Sequence, residues 1–126
     1  MSEDAVREWV EAHQDEFLAE LIEWLAIPSI SSHPDRAPDV GRSADWLAEA
    51  FRRTGFPTVE IWPTEYGVPA VYAEWPAENA AATSVVVYGH HDVQPVDPEE
   101  LWHSAPFEPG MVAGGGRVAQ DEVVVG

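Results

Sequence analysis

The chain of 126 residues contains no cysteine and no lysine, and its apolar runs are short. Without cysteine it can form no disulfide and has no thiol nucleophile, so a metal site would have to use histidine and carboxylates. No run approaches the roughly 18 apolar residues of a membrane span. The acidic start, MSEDAVREW, is unlike a signal peptide. These absences lead us to expect a cytoplasmic protein.

The charge of the chain is strongly one-sided. Six basic side chains, all arginine, stand against 23 acidic ones, for a formal net charge of −17. Such a surface repels phosphate backbones and anionic lipids. We therefore expect no nucleic-acid and no membrane partner, and we attribute the acidity to solubility or salt adaptation, with no catalytic role.

The pattern of apolar residues predicts an α/β unit. A first helix is expected from the Ser2 cap to Pro28 and a second from Asp39 to Thr54, where Gly55 should end it. Three strands are expected after the second helix: Thr58–Trp62, Val68–Trp75 and Ser84–Tyr88. The last strand is β-branched and ends in glycine, so it is predicted to be buried on both faces in a parallel sheet.

His90 and Asp92 directly follow that last predicted strand. Residues i and i+2 of an extended segment point to the same side, so the Asp92 carboxylate can reach the His90 ring. Active sites of open α/β sheets collect beyond the carboxyl ends of strands. His90 is therefore a candidate metal ligand and Asp92 the carboxylate that orients it. His91 should point away, and His13, His33 and His103 are expected to be packing or loop residues.

The run GHHDVQPVDPEELWHSAPFEP, residues 89 to 109, resembles the first metal-binding motif of a family of dinuclear zinc metallopeptidases. That family includes carnosinase-like dipeptidases, acetylornithine deacetylase and succinyl-diaminopimelate desuccinylase, and the resemblance is strongest to the dipeptidase branch. Upstream, the segments LAIPSISSHPD, DVGRSADWLAEAFRRTGF and VPAVYAEW continue the resemblance in the family's order. Nearly the whole chain up to Pro109 is covered.

The resemblance implies the first part of a three-layer α/β/α zinc-exopeptidase domain of the phosphorylase/hydrolase-like kind, incomplete in this chain. Residues 1–109 would be the amino-terminal part of that catalytic domain and residues 110–126 a divergent tail. In the family, the position of His90 is a zinc ligand and that of Asp92 a catalytic residue. The complete enzyme would hold two zinc ions, with cobalt or manganese as alternatives. It would act on a small peptide or an acylated amino acid, and the family allows a homodimer.

The resemblance fails after Pro109. The family continues through an R-G-A-x-D-D-K-G segment with a metal-bridging aspartate, which this chain lacks, and its general-base glutamate and last histidine ligand come later still. Asp121 and Glu122 sit several residues too early and are not expected to be ligands. We therefore predict an amino-terminal fragment of a metal-dependent dipeptidase, inactive alone, left by truncation, gene decay or a frameshift near Gly110.

Two alternatives remain open at the level of the sequence. One is a non-catalytic interaction or dimerisation module that uses the tryptophan-rich first helix. The other is a truncated product that folds incompletely, because the absent half would leave a sheet edge and core faces uncovered.

Overall fold

The computed structural model describes residues 2–65, 67–102 and 104–110. Three helices and two strands make up its regular structure: α1 (Glu3–Ala12), α2 (Gln14–Leu25), α3 (Ala37–Thr54), β1 (Thr58–Trp62) and β2 (Ala70–Glu74). Short 3-10 turns lie at Pro34–Arg36 and Glu99–Leu101. The chain divides into two units: α1 and α2 fall in one together with the described residues from Val96 onward, and Ile27–Pro95 forms the other.

The second unit is a helix packed on a hairpin. Strands β1 and β2 pair antiparallel, with Thr58 opposite Glu74 and Trp62 opposite Ala70, and α3 contacts both strands. Three residues of α3, Val40, Ala44 and Ala48, recur at helical spacing and are buried. The predicted α/β class is thereby confirmed, although the sheet of the described residues is a two-stranded antiparallel one.

Helix α3 ends as predicted but begins earlier. Gly55 adopts φ 101°, and its N–H donates to the carbonyl oxygens of Phe51 and Arg52. A left-handed residue of this kind is the usual helix terminator, and glycine adopts it without a Cβ clash. Asp39 is not the N-cap. It lies in the first turn, where its carboxylate pairs with Arg36 at 3.1 Å and with Arg42 at 3.3 Å.

The first predicted helix is two helices, separated at His13, and the prediction of one continuous helix is wrong. The predicted Ser2 cap is present, since the hydroxyl accepts from the Ala5 N–H. At the break, His13 Nδ1 lies 2.6 Å from the Trp9 carbonyl oxygen, and the His13 N–H bonds to Val10 instead. The ring thus occupies the acceptor that an uninterrupted helix would give to the His13 amide.

The predicted strand Ser84–Tyr88 does not form. These residues belong to no strand, and the side chains of Val85 to Tyr88 are 83–93% exposed. A strand needs neighbouring strands for its backbone N–H and C=O groups, and β1 and β2 pair only with each other. The apolar composition favours a strand, but Ser84–Tyr88 pairs with neither β1 nor β2. No helix in the described part is both long and apolar enough to cross a bilayer.

Replacing Gly55 by alanine should weaken the end of α3. A Cβ there would force a side chain into the left-handed region, at a cost of about 1 kcal/mol, and would lie 3.7 Å from the Trp75 ring. Gly41→Ala is the matched control, because Gly41 lies inside α3 with open space around it. Amide hydrogen exchange at Phe56 should show a lower opening free energy in Gly55→Ala and no decrease in Gly41→Ala. Equal values in both variants would contradict the assigned cap.

Candidate metal-binding site

The candidate site lies on a loop of the second unit, and this loop pairs with a segment of the same unit that is distant in the sequence. Ile30 and Val93 form an isolated parallel bridge, and the Val93 N–H donates to the Ser29 carbonyl oxygen at 2.9 Å. Ile30 and Ser29 are both buried. The backbone of residues 90–93 is therefore held against residues 29–31 by hydrogen bonding and by apolar burial.

His91 anchors this loop to the interior. Its carbonyl oxygen accepts from two buried serine hydroxyls, Ser29 at 3.2 Å and Ser43 at 2.8 Å. Its ring Nε2 lies 2.8 Å from the Pro69 carbonyl oxygen, which can only accept, so Nε2 is the donor. Ring Nδ1 lies 3.2 Å from the Ser43 hydroxyl. The His91 ring thus faces α3 and the segment before β2. It points away from His90, as we expected from the sequence.

His90 faces the opposite way, and its ring is oriented by Asp92. Nδ1 lies 2.8 Å from the Asp92 carbonyl oxygen and 3.2 Å from Asp92 Oδ1. Both atoms are acceptors, so this geometry places the proton on Nδ1 and the lone pair on Nε2. The side chain is 77% exposed, and no hydrogen bond occupies Nε2 within the part of the chain that the structure describes. An imidazole in this state can bind a metal through Nε2.

The Asp92 carboxylate has a second partner on its other oxygen. The Ser31 hydroxyl donates to Oδ2 at 2.5 Å. This hydrogen bond is the largest influence on the carboxyl group and holds its pKa below the ordinary value of 3.8, against the opposing effect of partial burial. The Asp92 backbone N–H and His90 lower the pKa further. Asp92 is therefore a carboxylate at neutral pH, with each oxygen assigned to a different neighbour.

A complete metal site is not present among the described residues, which contain no group of three or more histidine or carboxylate side chains able to hold an ion. The structure brings together His90 and Asp92, the two residues that carry the sequence prediction. Asp121, Glu122 and His103 lie outside the described residues. The prediction missed the supporting serines Ser29, Ser31 and Ser43. For Ser29 and Ser31, the only signal in the sequence is that they flank Ile30. Residues two apart in an extended segment point to the same side.

Comparison with known proteins identifies relatives over part of their length. A Cys-Gly metallodipeptidase of Candida albicans is 27% identical over 108 residues, which cover 78% of this chain and 22% of that protein. The human beta-Ala-His dipeptidase is 31% identical over 115 residues, covering 82% and 22%. A succinyl-diaminopimelate desuccinylase of Acidovorax ebreus is 33% identical over 92 residues, covering 68% and 24%. No protein-family profile matches the chain.

A solved structure agrees with these relatives on the fold. A dipeptidase of Saccharomyces cerevisiae superposes with a TM-score of 0.69 at 24% identity, covering 79% of this chain and 22% of that one. The chain thus spans about a fifth of the length of the curated relatives it matches. The resemblance to the metallopeptidase family is confirmed over this shared region, with dipeptidases among its homologues, and the partial length fits a fragment of such an enzyme.

The hydrogen bond to Asp92 predicts an acid-dependent contribution to stability. A carboxyl group whose pKa is lowered by folding stabilises the fold above its unfolded pKa, and this contribution disappears as the pH falls through the lowered value. Asp92→Asn should therefore destabilise the second unit at pH 7, and the difference from the unchanged chain should shrink below pH 3.8. Asp45→Asn, at an exposed aspartate of α3, is the control. Hydrogen exchange across this pH range measures both, and a difference for Asp92→Asn that persists in acid would contradict the assignment.

Proposed function

We propose that this chain, a homologue of the metallodipeptidases over part of their length, contributes one metal ligand and its orienting carboxylate to the active site of a metal-dependent dipeptidase. His90 would bind the metal through Nε2, and Asp92 would keep the ring proton on Nδ1. The observation that carries the proposal is the pair of contacts from His90 Nδ1 to Asp92, which leave Nε2 with a lone pair on an exposed ring.

The donor chemistry of the site fits zinc. A neutral imidazole beside a carboxylate suits zinc, and it also suits cobalt and manganese, and this chain, which has no cysteine, supplies no thiolate ligand. A bound divalent ion would supply Lewis acidity toward a peptide carbonyl and lower the pKa of a water molecule. Within the chain, Ser29, Ser43 and the His91 ring hold the loop backbone, and Asp92 holds the proton of His90.

The proposal requires further ligands from outside the described residues. A catalytic zinc takes about three protein ligands, and a two-metal site needs more, whereas the described residues offer His90. We propose that residues 1–109 form the amino-terminal part of the catalytic domain, that a small peptide or acylated amino acid is the substrate, and that the complete enzyme can form a homodimer. The cytoplasmic location remains a prediction from the sequence.

Removal of His90 tests the proposed ligand. The experiment needs a version of the protein that carries the family's later ligands, obtained by reading the gene in all frames from the Pro109 codon to an R-G-A-x-D-D-K-G segment. In that version, His90→Ala should abolish dipeptide hydrolysis and lower the bound zinc, because the metal loses a direct ligand. His33→Ala, in the loop before α3, should change neither. Unchanged zinc content in purified His90→Ala would remove His90 from the site.

A second candidate is favoured by the exposure of Val85 to Tyr88. Four consecutive large apolar or aromatic side chains facing solvent are the expected state of a product that has not completed its sheet. On this account the 126-residue chain alone unfolds over a broad temperature range, without a cooperative transition. Circular dichroism during heating measures this. A single sharp transition would reject incomplete folding and would leave the chain as an independent module.

A further inference from the structure

Ser31 lies at the far end of a chain of hydrogen bonds that ends at His90. Its hydroxyl donates to Asp92 Oδ2 at 2.5 Å, while Asp92 Oδ1 lies 3.2 Å from His90 Nδ1, which also lies 2.8 Å from the Asp92 carbonyl oxygen. The two carboxylate oxygens therefore have separate partners on separate segments. Because the terminal torsion of an aspartate is broad, a carboxylate without such a partner can rotate freely about its last bond. The Ser31 contact opposes that rotation.

The position of Ser31 is itself fixed by the backbone. The parallel bridge between Ile30 and Val93, with the Val93 N–H bonded to the Ser29 carbonyl oxygen, sets residues 29–31 alongside residues 91–93. Ile30 is buried, and the Ser29 hydroxyl reaches the His91 carbonyl oxygen. Ser31 is therefore presented to Asp92 by a segment whose two preceding residues, Ser29 and Ile30, are both anchored. The adjacent Ser32 is exposed and makes no such contact in the described part of the chain.

We propose that Ser31 is a positioning residue for the metal ligand: by holding Asp92 Oδ2, it keeps Oδ1 directed at His90 Nδ1 as a second acceptor beside the Asp92 carbonyl oxygen, and so favours the form of the neutral ring whose Nε2 is unprotonated and available to a divalent cation. The inference rests on the proposed function only in assuming that His90 Nε2 binds a metal. The effect on the ring proton is independent of any metal. Ser31 contacts Asp92 and acts on the ring through it.

The competing account is that Ser31 only stabilises the loop. In that case its loss would lower stability without changing which ring nitrogen of His90 carries the proton. The position of that proton is visible in nitrogen-15 NMR spectra of histidine side chains, recorded where imidazoles are neutral, at about pH 8.5. This readout uses the 126-residue chain as it stands and is assigned residue by residue.

The test compares variants that differ only at the hydroxyl. Ser31→Thr keeps the hydroxyl and Ser31→Val replaces it with a methyl group of nearly the same shape, while Ser32→Ala removes a neighbouring hydroxyl. The unchanged chain, Ser31→Thr and Ser32→Ala should all have the Nδ1-protonated His90 ring. Ser31→Val should raise the population of the Nε2-protonated form above that of Ser31→Thr, although the Asp92 carbonyl oxygen still faces Nδ1. The Ile30 and Val93 amide signals should be unchanged, as evidence that the loop is intact.

Metal binding is measured by zinc titration of the same variants, followed at the same His90 signals, in the version of the protein that carries the family's later ligands. Loss of a group that orients a ligand typically weakens metal binding 10- to 100-fold, and we expect about tenfold weaker binding in Ser31→Val than in Ser31→Thr. Equal populations of the Nε2-protonated form in Ser31→Val and Ser31→Thr, with intact loop signals, would overturn the proposal. If zinc leaves the His90 signals of every variant unchanged, the proposed function fails at this residue, while the ring-proton result still decides the role of Ser31.

Discussion

The short parallel pairing between residues 29–31 and 91–93 is the contact on which the candidate site depends. One bridge, Ile30 to Val93, joins segments about sixty residues apart in the sequence and sets the register between them. Because side chains alternate along extended backbone, this register sends His91 inward and His90 and Asp92 outward. A shift of one residue would bury His90 and expose His91. The identity of the candidate ligand thus follows from a backbone contact.

Buried serines make that register specific. Ser29 and Ser43 come from different segments, and both donate to the same acceptor, the His91 carbonyl oxygen. A buried hydroxyl without a partner costs about 1–3 kcal/mol. An alternative position of the loop would therefore lose both hydrogen bonds to the His91 carbonyl oxygen, in addition to the contacts of the His91 ring. Polar satisfaction thus acts together with the burial of Ile30 to select the observed arrangement.

The sequence predicts local features well and distant ones poorly, and the residues show why. Strand β1 has the bounds expected from its pattern, Gly55 ends α3, and the pairing of His90 with Asp92 follows from a spacing of two. The sequence assigns no role to Ser31, because its partner lies 61 residues away and a single sequence carries no signal for that contact. Ser84–Tyr88 has the composition of a buried strand, but a strand also requires neighbours that composition cannot supply. At His13, a side-chain hydrogen bond interrupts the helix, although the apolar pattern of the sequence continues across that residue.

Zinc-edge anomalous diffraction tests the central claim most directly. The crystals would contain the version of the protein that includes the family's later ligands, grown with zinc. The account predicts an anomalous peak about 2.1 Å from His90 Nε2, the usual zinc to imidazole distance, with Nδ1 still bonded to Asp92. Zinc peaks that coordinate other side chains and leave His90 Nε2 unbound would contradict the account, whatever the activity of the enzyme.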